Sequence, residues 1–351
     1  MEVTKQDFGT MPSGETVELF RLTNDHGMAA NIITYGATIQ ALSLNGKDVA
    51  LGYDNLDGYL NNDGCLGATI GRVANRIKDG TFTLEGKDYQ LALNNGGNTL
   101  HGGTVGFHQR LFTPAVDSEG LHLTYISPDG EEGFPGEVVF VVTYNLTNDN
   151  KLLIDYAATS TAATPFQVTN HSYFNLDLPD CAKGSKEASI LDHTLKIAAN
   201  AYDKNDETGV AQPTQRTSLD EDAIFDFRSE KKIGEDIHKE SQQLTWAKGY
   251  DHAYVLSQEA KNGETAAMLS NGSLTLKVYT TQGYLHVYTG NYLDMTGKEG
   301  VYYGENSGVA LEAEHEPNAI NAEDVETREK AILTPDKPLH ETITFQLFEN
   351  A

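Results

Sequence analysis

Basic residues are scarce in this 351-residue chain. It contains 25 Lys and Arg against 51 Asp and Glu, which gives a formal net charge of −26. Nucleic acids and anionic membranes are bound by clustered basic side chains, which replace the counterions around phosphate groups. The charge balance therefore argues against nucleic acid or a membrane surface as a partner, and it favours a neutral ligand.

Cysteine and long apolar runs are scarce as well. The only cysteines are Cys65 and Cys181, and a chain of this length buries enough apolar surface to fold without disulfides. The N-terminal residues contain no apolar stretch typical of a signal peptide. The longest apolar run, residues 138–142, is far shorter than the roughly 20 residues that span a membrane. We therefore predict two thiols in a cytoplasmic protein.

Nucleotide and metal signatures are also missing. The chain has no G-x-x-x-x-G-K-[ST] loop, no G-x-G-x-x-G after a strand and no G-x-S-x-G elbow. Their absence argues against the usual phosphate cradles and serine nucleophiles. The histidines lack the H-x-H or H-E-x-x-H spacing of metal sites. We expect side chains alone to carry the chemistry, with no cofactor and no metal.

Short β-branched and aromatic runs extend along the chain and are separated by Gly, Asn and Asp. Residues 39–44 alternate in the way typical of a β-strand, Asn45-Gly46 suits a tight turn, and residues 48–51 can form the returning strand. This pattern predicts a hairpin. A second hairpin is predicted from residues 81–84 and 89–93. Further predicted strands are residues 121–126, 138–146, 152–158, 274–280, 285–289 and 343–348. This spacing predicts an all-β sandwich, which we expect to form one domain over residues 1–351.

Helical periods are few. Residues 231–243 and 322–330 are the candidates for short helices, the second with Asn321 as its N-cap. Residues 203–222 are polar, contain Gly209 and Pro213 and lack periodicity, which predicts a long surface loop or a linker. We favour the loop because strands continue on both sides of it without a change of composition.

Two glycine-containing motifs carry candidate ligand-binding groups. The motif GRVANR places Arg72, Asn75 and Arg76 beside a glycine. Its two guanidinium groups could donate to ligand oxygens or form surface salt bridges. In NTLHGG, His101 precedes two glycines that allow a ligand to approach the backbone closely. The alternative for His101 is a neutral structural histidine.

Two further motifs combine titratable and aromatic groups. In TNHSYFNL, strand alternation projects His171 and Tyr173 from one face, either into a site or into a half-buried sheet. The motif GYDH follows Trp246, the only tryptophan, and offers Tyr250 and Asp251 as an aromatic and carboxylate pair suited to a polyol. A simple turn is the alternative for GYDH.

The motif LEAEH ends an apolar run in carboxylates. Alternation sets Glu312 and Glu314 opposite their apolar neighbours, so that a carboxylate emerges either at a pocket or at a solvated edge. Glu312, Glu314 and His315 together are a weaker candidate for metal ligands, because other histidines are dispersed.

Seven motifs follow one another along nearly the whole chain: GRVANRI, NTLHGG, SPDGEEGFPGE, VTNHSYFNL, GYDHAY, VYTGN and LEAEHEPNAIN. Together they resemble the aldose 1-epimerase (galactose mutarotase) family. The resemblance implies a large antiparallel β-sandwich with a carbohydrate-binding cleft on one sheet. It also implies a free aldose as the small-molecule substrate.

The resemblance implies roles for individual residues. The family's general acid falls on His171 and its general base on Glu312. The positions that hold the sugar are Asn75, Arg76, His101, Tyr173, Asp251 and His286. His286 is a departure, because several relatives have Gln there. A second departure is LEAEHEP itself, where an LET-type sequence is more usual, although the glutamate is retained.

Exchange of α- and β-anomers requires removal of the C1 hydroxyl proton and donation of a proton to the ring oxygen. One acid and one base suffice for this. With ordinary pKa values of about 6.5 for His and 4.3 for Glu, we expect protonated His171 and ionised Glu312 to coexist, stabilised by mutual attraction. Two alternatives are a non-catalytic sugar-binding protein on the same scaffold and a hexose-6-phosphate 1-epimerase, which would need a basic cluster.

Overall fold

The chain folds mainly into antiparallel β-sheet. The structure is a computed structural model that describes residues 1–62, 64–184 and 187–350, with the backbone alone at residues 213 and 214. Up to residue 160 the strands are β1 Glu2–Thr10, β2 Thr16–Thr23, β3 Met28–Ile33, β4 Thr38–Leu44, β5 Lys47–Asp48, β6 Thr69–Ile70, β7 Arg76–Ile77, β8 Thr81–Leu84, β9 Lys87–Gln90, β10 Thr99–Leu100, β11 Thr113–Val116, β12 Leu121–Ser127, β13 Val138–Leu146 and β14 Lys151–Ser160.

Strands continue in the second half of the chain, and the described residues also contain five short α-helices. The strands are β15 Thr164–Pro165, β16 Thr169–Asn170, β17 Tyr173–Phe174, β18 Thr194–Ile197, β19 Ala199–Asn205, β20 Ala211–Ser218, β21 Lys231–Lys232, β22 Asp251–Leu256, β23 Ala267–Ser270, β24 Leu274–Thr280, β25 Tyr284–Tyr288, β26 Met295–Thr296, β27 Tyr302–Tyr303, β28 Val309–Glu314, β29 Ile332–Leu333 and β30 Leu339–Glu349. The described α-helices are α1 Leu56–Leu60, α2 Leu178–Ala182, α3 Gln242–Ala247, α4 Gln258–Lys261 and α5 Val325–Lys330.

Three sheets contain most of these strands. The first has the order β1-β2-β3-β4-β5. The nine-stranded sheet has the order β11-β12-β13-β14-β30-β24-β23-β18-β21, and the six-stranded sheet has the order β17-β28-β25-β22-β19-β20. Neighbouring strands in all three are antiparallel. This arrangement confirms the predicted all-β sandwich.

A shared apolar core joins the nine-stranded and six-stranded sheets. Along β13 alternate residues are buried, and the core receives Phe140 from this strand together with Leu285, Val287 and Leu311 from β25 and β28. Burying an apolar side chain of this size stabilises the fold by about 1.5–3 kcal/mol. The core therefore fixes which face of β25 and β28 points inward, and it leaves the other face available for polar side chains.

The predicted hairpins are confirmed. β4 and β5 are joined by Asn45 and Gly46, whose φ angles of 53° and 77° are the positive values that a two-residue turn requires. The returning strand is shorter than predicted because Asp48 Oδ1 accepts hydrogen bonds from the backbone N–H groups of Leu42 and Ala50. β8 and β9 form the second hairpin. The other predicted strands are also present, with small differences at their ends.

The helix prediction for residues 231–243 is mostly wrong. Lys231 and Lys232 pair with β18, and Gly234 N donates to Leu191 O in a short 3-10 turn, so these backbone groups are used in tertiary contacts. The only described α-helix that reaches this segment is α3, which begins at Gln242. Gly234 also lowers the local helix propensity.

The second predicted helix exists, but its N-cap was misassigned. α5 begins at Val325, and Oδ2 of Asp324 accepts a hydrogen bond of 2.8 Å from Thr327 N. Asn321 donates instead to the carbonyl of Thr81. The N-cap of α5 is therefore Asp324.

The loop or linker predicted for residues 203–222 is wrong over most of its length. β19 and β20 form a hairpin at the edge of the six-stranded sheet, with only its tip, residues 206–210, outside the strands. Asp203 and Arg216 face each other across it, with Nε–Oδ1 at 2.8 Å. Charged residues are common on edge strands, where they oppose pairing with other chains.

Other expectations concern thiols and membranes. Cys65 and Cys181 are thiols and are not joined in a disulfide, as predicted. None of the helices within the described residues has the length and apolar character needed to cross a bilayer.

Candidate active site

A cavity of about 610 Å³ opens on the face of the six-stranded sheet that points away from the core. This volume lies within the roughly 300–1,000 Å³ typical of small-molecule sites. The structure brings every predicted site residue to its wall: Asn75, Arg76, His101, His171, Tyr173, Asp251, His286 and Glu312. Residues from well-separated motifs thus meet at one place.

Strand alternation brings Glu312 and His286 to the cavity. These two residues are direct cross-strand partners on β28 and β25. Their neighbours Leu311 and Leu285 point into the core on the opposite face. Glu312 is 3% exposed, so the solvated-edge alternative for this carboxylate is wrong.

His171 and Glu312 face each other across a short gap. The distance from His171 Nε2 to Glu312 Oε1 is 3.5 Å, and His171 is 5% exposed. The backbone of His171 is fixed between β16 and β17, because its N–H donates to Ala68 O and its carbonyl accepts from Gly67 N. Tyr173 packs beside it with ring centroids 5.0 Å apart, which confirms that both side chains project together.

The charge state of this pair differs from the one expected. Burial lowers the pKa of His171 to about 3 and raises the pKa of Glu312 well above its ordinary value. Both shifts favour the neutral forms, in contrast to the expected charged pair stabilised by mutual attraction. A neutral histidine beside a protonated glutamate nevertheless holds the same single proton as the charged pair.

His101 and Asn75 hold each other in place. His101 N donates to Asn75 O at 3.1 Å, and Asn75 N donates to His101 Nδ1 at 3.2 Å. Since Nδ1 is an acceptor, the ring proton is assigned to Nε2. Burial lowers the pKa of His101 well below its ordinary value, so His101 is a neutral donor.

The two arginines of GRVANR have different environments. Arg76 lines the cavity and donates from Nε to Asn95 Oδ1 at 3.0 Å. Arg72 is 2% exposed and donates to Ser127 and to the carbonyls of Pro128, Pro135 and Gly136. The interpretation of both as ligand donors is therefore wrong for Arg72, which joins loops, and the surface salt-bridge alternative does not describe it either.

A charged pair, His286 and Asp251, lies beside the proposed acid and base. His286 Nε2 is 2.7 Å from Asp251 Oδ1, and its Nδ1 is 3.6 Å from Glu314 Oε1. Although burial raises the pKa of Asp251, its hydrogen bond to His286 and the charge of that ring hold the pKa well below its ordinary value. Burial lowers the pKa of His286, but Asp251 and the other carboxylates raise it to about 9.

Of the GYDH motif, only Asp251 reaches the cavity. Tyr250 and His252 are buried in the core against Phe225, so the predicted Tyr250–Asp251 pair does not form a sugar platform. Trp246, which precedes the motif in the sequence, also lines the cavity.

Several lining residues were missed. The principal ones are Asn205, Gln243, Tyr288, Tyr292 and the hairpin tip at residues 206–209. Their signal was weak, because the tip lay within the segment interpreted as a loop and Gln243 at the end of a wrongly predicted helix. His315 points elsewhere, with Nε2 3.1 Å from Glu341 Oε1, and the described part of the chain contains no group of three His, Cys, Asp or Glu side chains that could hold a metal ion.

Comparison with known proteins places the chain in a family. The chain matches the profile of the family described as "Aldose 1-epimerase" over residues 18–345. It is 42% identical over 330 residues to the galactose mutarotase of Sus scrofa, with 92% of each chain covered. It is 34% identical over 319 residues to the aldose 1-epimerase of Escherichia coli (strain K12), with 88% of this chain and 89% of that one covered. Its structure matches the crystal structure of galactose 1-epimerase from Lactobacillus acidophilus NCFM with a TM-score of 0.86 and 28% identity, over 100% of this chain and 99% of that one. The chain belongs to the aldose 1-epimerase family.

Proposed function

We propose that the protein interconverts the α- and β-anomers of free aldohexoses such as galactose and glucose, with His171 and Glu312 transferring the protons. The observation that carries this proposal is the buried pair itself, with Nε2 and Oε1 3.5 Å apart at the wall of a sugar-sized cavity. Titratable groups with strongly shifted pKa values are concentrated at functional sites.

The proposed reaction conserves protons. The reaction starts from the form in which the pair's single proton lies on His171 and Glu312 is ionised. Glu312 accepts the proton of the C1 hydroxyl, the bond between C1 and the ring oxygen breaks, and protonated His171 donates to that oxygen. The open aldehyde rotates about the C1–C2 bond, after which His171 accepts and Glu312 donates in the reverse sequence. The pair holds one proton before and after the reaction, and each transfer is worth about 10²–10⁴-fold in rate.

Neighbouring residues support the transient charges. Neutral His101 presents Nε2–H to the cavity, and Arg76 supplies a fixed positive charge. Asp251 uses Oδ1 for His286 and keeps Oδ2 for a sugar hydroxyl. We propose that these three residues, with Asn75, Tyr173 and His286 around them, hold the pyranose.

The electrostatics favour a free sugar over a hexose 6-phosphate. Arg76 is the one Lys or Arg among the described lining residues, whereas Asp206, Glu207, Asp251 and Glu312 contribute carboxyl groups. A phosphate dianion would require a basic cluster. A purely sugar-binding role is less favoured, because hydroxyl recognition alone gives no reason to bury a titratable acid and base together.

We also propose that the reaction takes place in the cytoplasm, since Cys65 and Cys181 are both thiols in a chain of this size. This placement follows from the redox argument alone.

Polarimetry tests the proposed activity. Freshly dissolved α-galactose and α-glucose should mutarotate faster with wild-type protein than in buffer. With His171→Ala or Glu312→Ala, the optical rotation of the sugar should relax at nearly the rate in buffer. His122→Ala, which alters a histidine on the nine-stranded sheet, is the matched control and should behave as wild type. Calorimetric sugar binding without any acceleration by wild type would instead support a non-catalytic sugar-binding protein.

A further inference from the structure

One buried cluster of titratable groups takes no part in the proton transfers described above. His286 lies between Asp251 and Glu314, with ring nitrogens 2.7 Å and 3.6 Å from their carboxylate oxygens. His286 is 6% exposed and Glu314 is 2% exposed. Glu314 is not among the predicted sugar contacts.

The sheet register places this imidazole next to the proposed base. His286 and Glu312 are direct partners on β25 and β28 and project to the same face. Side chains of such partners have Cβ atoms about 4.5–5.5 Å apart. A charge on His286 therefore acts on Glu312 at short range and inside a buried site, where screening by solvent is weak.

The ionised carboxylate of Asp251, 2.7 Å from the His286 ring, favours a cation at His286. The charged or titratable groups that face His286 are Asp251 on β22, Glu312 and Glu314 on β28, and Arg76 on β7. Burial raises the pKa of Glu314 to about 7. Burial lowers the pKa of the other nearby imidazoles, those of His101, His171 and His252. Buried carboxylates are costly unless they are paired, and His286 is the imidazole that contacts two of them.

The neutral and charged states of the His286 ring would make different contacts near the side-chain amide of Asn75. Its Nδ2 donates to Glu314 Oε1 at 3.1 Å and lies 3.2 Å from His286 Nδ1. A neutral ring would accept from this amide at Nδ1, whereas a charged ring would direct Nδ1–H toward Glu314. The two states have different nitrogen protonation, so spectroscopy separates them.

We infer that His286 is a buried cation, held between Asp251 and Glu314, that controls the pH range over which the His171–Glu312 pair carries its single proton. His286 and Glu314 are thus positioning residues. The part of the inference that concerns catalysis rests on the proposed function. Removing the cation should increase the proton affinity of both members of the pair and move the pH range of activity upward.

Nitrogen NMR of the full-length, ¹⁵N-histidine-labelled protein tests the cation directly. The His286 signals are those missing in His286→Gln. We expect both ring nitrogens to be protonated near neutral pH, and Glu314→Gln to move the titration of His286 to lower pH by about one unit, the shift typical of a nearby opposite charge. A neutral ring at that pH, or a titration unmoved by Glu314→Gln, would overturn the inference. This measurement needs no activity, so it is independent of the proposed function.

The pH profile tests the consequence. His286→Gln should move the acid limb of kcat/KM upward by about one pH unit, which is about a tenfold loss on the descending part of the limb. His122→Gln is the matched control, because its ring also pairs with an aspartate, with Nε2 2.8 Å from Asp117 Oδ1. Equal losses at every pH with an unmoved limb would overturn the role in positioning. An inactive wild type would overturn the proposed function, while the NMR result would still decide the charge of His286.

Discussion

Nε2 of His171 and Oε1 of Glu312 are 3.5 Å apart although the two residues come from distant motifs, and both are buried. Each side chain is useful only while the other can complete the proton exchange. Removing either one should therefore remove most of what the pair contributes.

Single and double substitutions test this dependence. His171→Ala and Glu312→Gln should each reduce kcat by about 10²–10⁴-fold, and the double variant should lose little more than the more damaged single variant. Anomer exchange by NMR at equilibrium provides the rates. Losses that multiply in the double variant would show that the two residues act independently.

Substitution of Arg72 should affect mainly stability, whereas substitution of Arg76 should affect mainly activity. Arg72→Lys should lower the free energy of unfolding by about 3 kcal/mol, because a lysine cannot satisfy the loop carbonyls around Arg72. Its kcat/KM per folded molecule should stay within about twofold of wild type, since Arg72 does not line the cavity.

Arg76→Lys is the matched comparison. It should leave the free energy of unfolding within about 0.5 kcal/mol of wild type and reduce kcat/KM. Urea unfolding and anomer exchange measured on the same samples decide the matter. The reverse pattern for the two variants would contradict the assignment of Arg76 to the site.

His286 should give the stability a pH dependence of known sign. Burial lowers the pKa of His286 in the folded protein, but Asp251 and the neighbouring carboxyl groups raise it to about 9, and an unfolded histidine has a pKa of about 6.5. Its contribution is therefore complete below about pH 6.5 and is lost as the pH rises through about 9. The difference in unfolding free energy between wild type and His286→Gln should shrink by about 1–3 kcal/mol over that range.

Urea unfolding of both proteins at several pH values provides this difference. Comparing the two variants cancels the contributions of groups that they share. A difference that stays constant with pH would mean that the ring is neutral in the folded state throughout.

The acidic hairpin tip should discriminate against phosphorylated sugars. Glu207 is an exposed carboxylate at the cavity wall, so Glu207→Gln should raise kcat/KM for glucose 6-phosphate a few-fold, more at low ionic strength, and leave glucose unaffected. Glu221→Gln, which changes an exposed residue outside the lining, is the control. Equal changes for both sugars would contradict an electrostatic cause.

Local patterns predicted the features that depend on alternation and turns. Asn45-Gly46 specified a hairpin, and alternation correctly projected His171 with Tyr173 and set Glu312 opposite Leu311. The seven motifs identified the family, and the resemblance that they carry identified eight of the residues that line the cavity. Whether residues 1–351 form one domain stays a prediction.

The errors concern quantities that only the assembled fold determines. Burial, which no local motif reveals, makes the neutral forms of His171 and Glu312 favourable. The role of Arg72 also could not be read from its motif, because its hydrogen-bond partners are carbonyls far away in sequence. Residues 231–235 fail as a helix because tertiary backbone contacts use their N–H groups.

The cross-strand pairing of His286 with Glu312 ties catalytic competence to folding itself. A slip of one residue between β25 and β28 would send a carboxylate or an imidazole into the apolar interior and bring leucine to the cavity. Such a misaligned molecule would lose the inner packing as well as the proton-transfer groups. Heat inactivation and loss of tertiary structure should therefore follow a single curve, with no substantial population of folded but inert molecules.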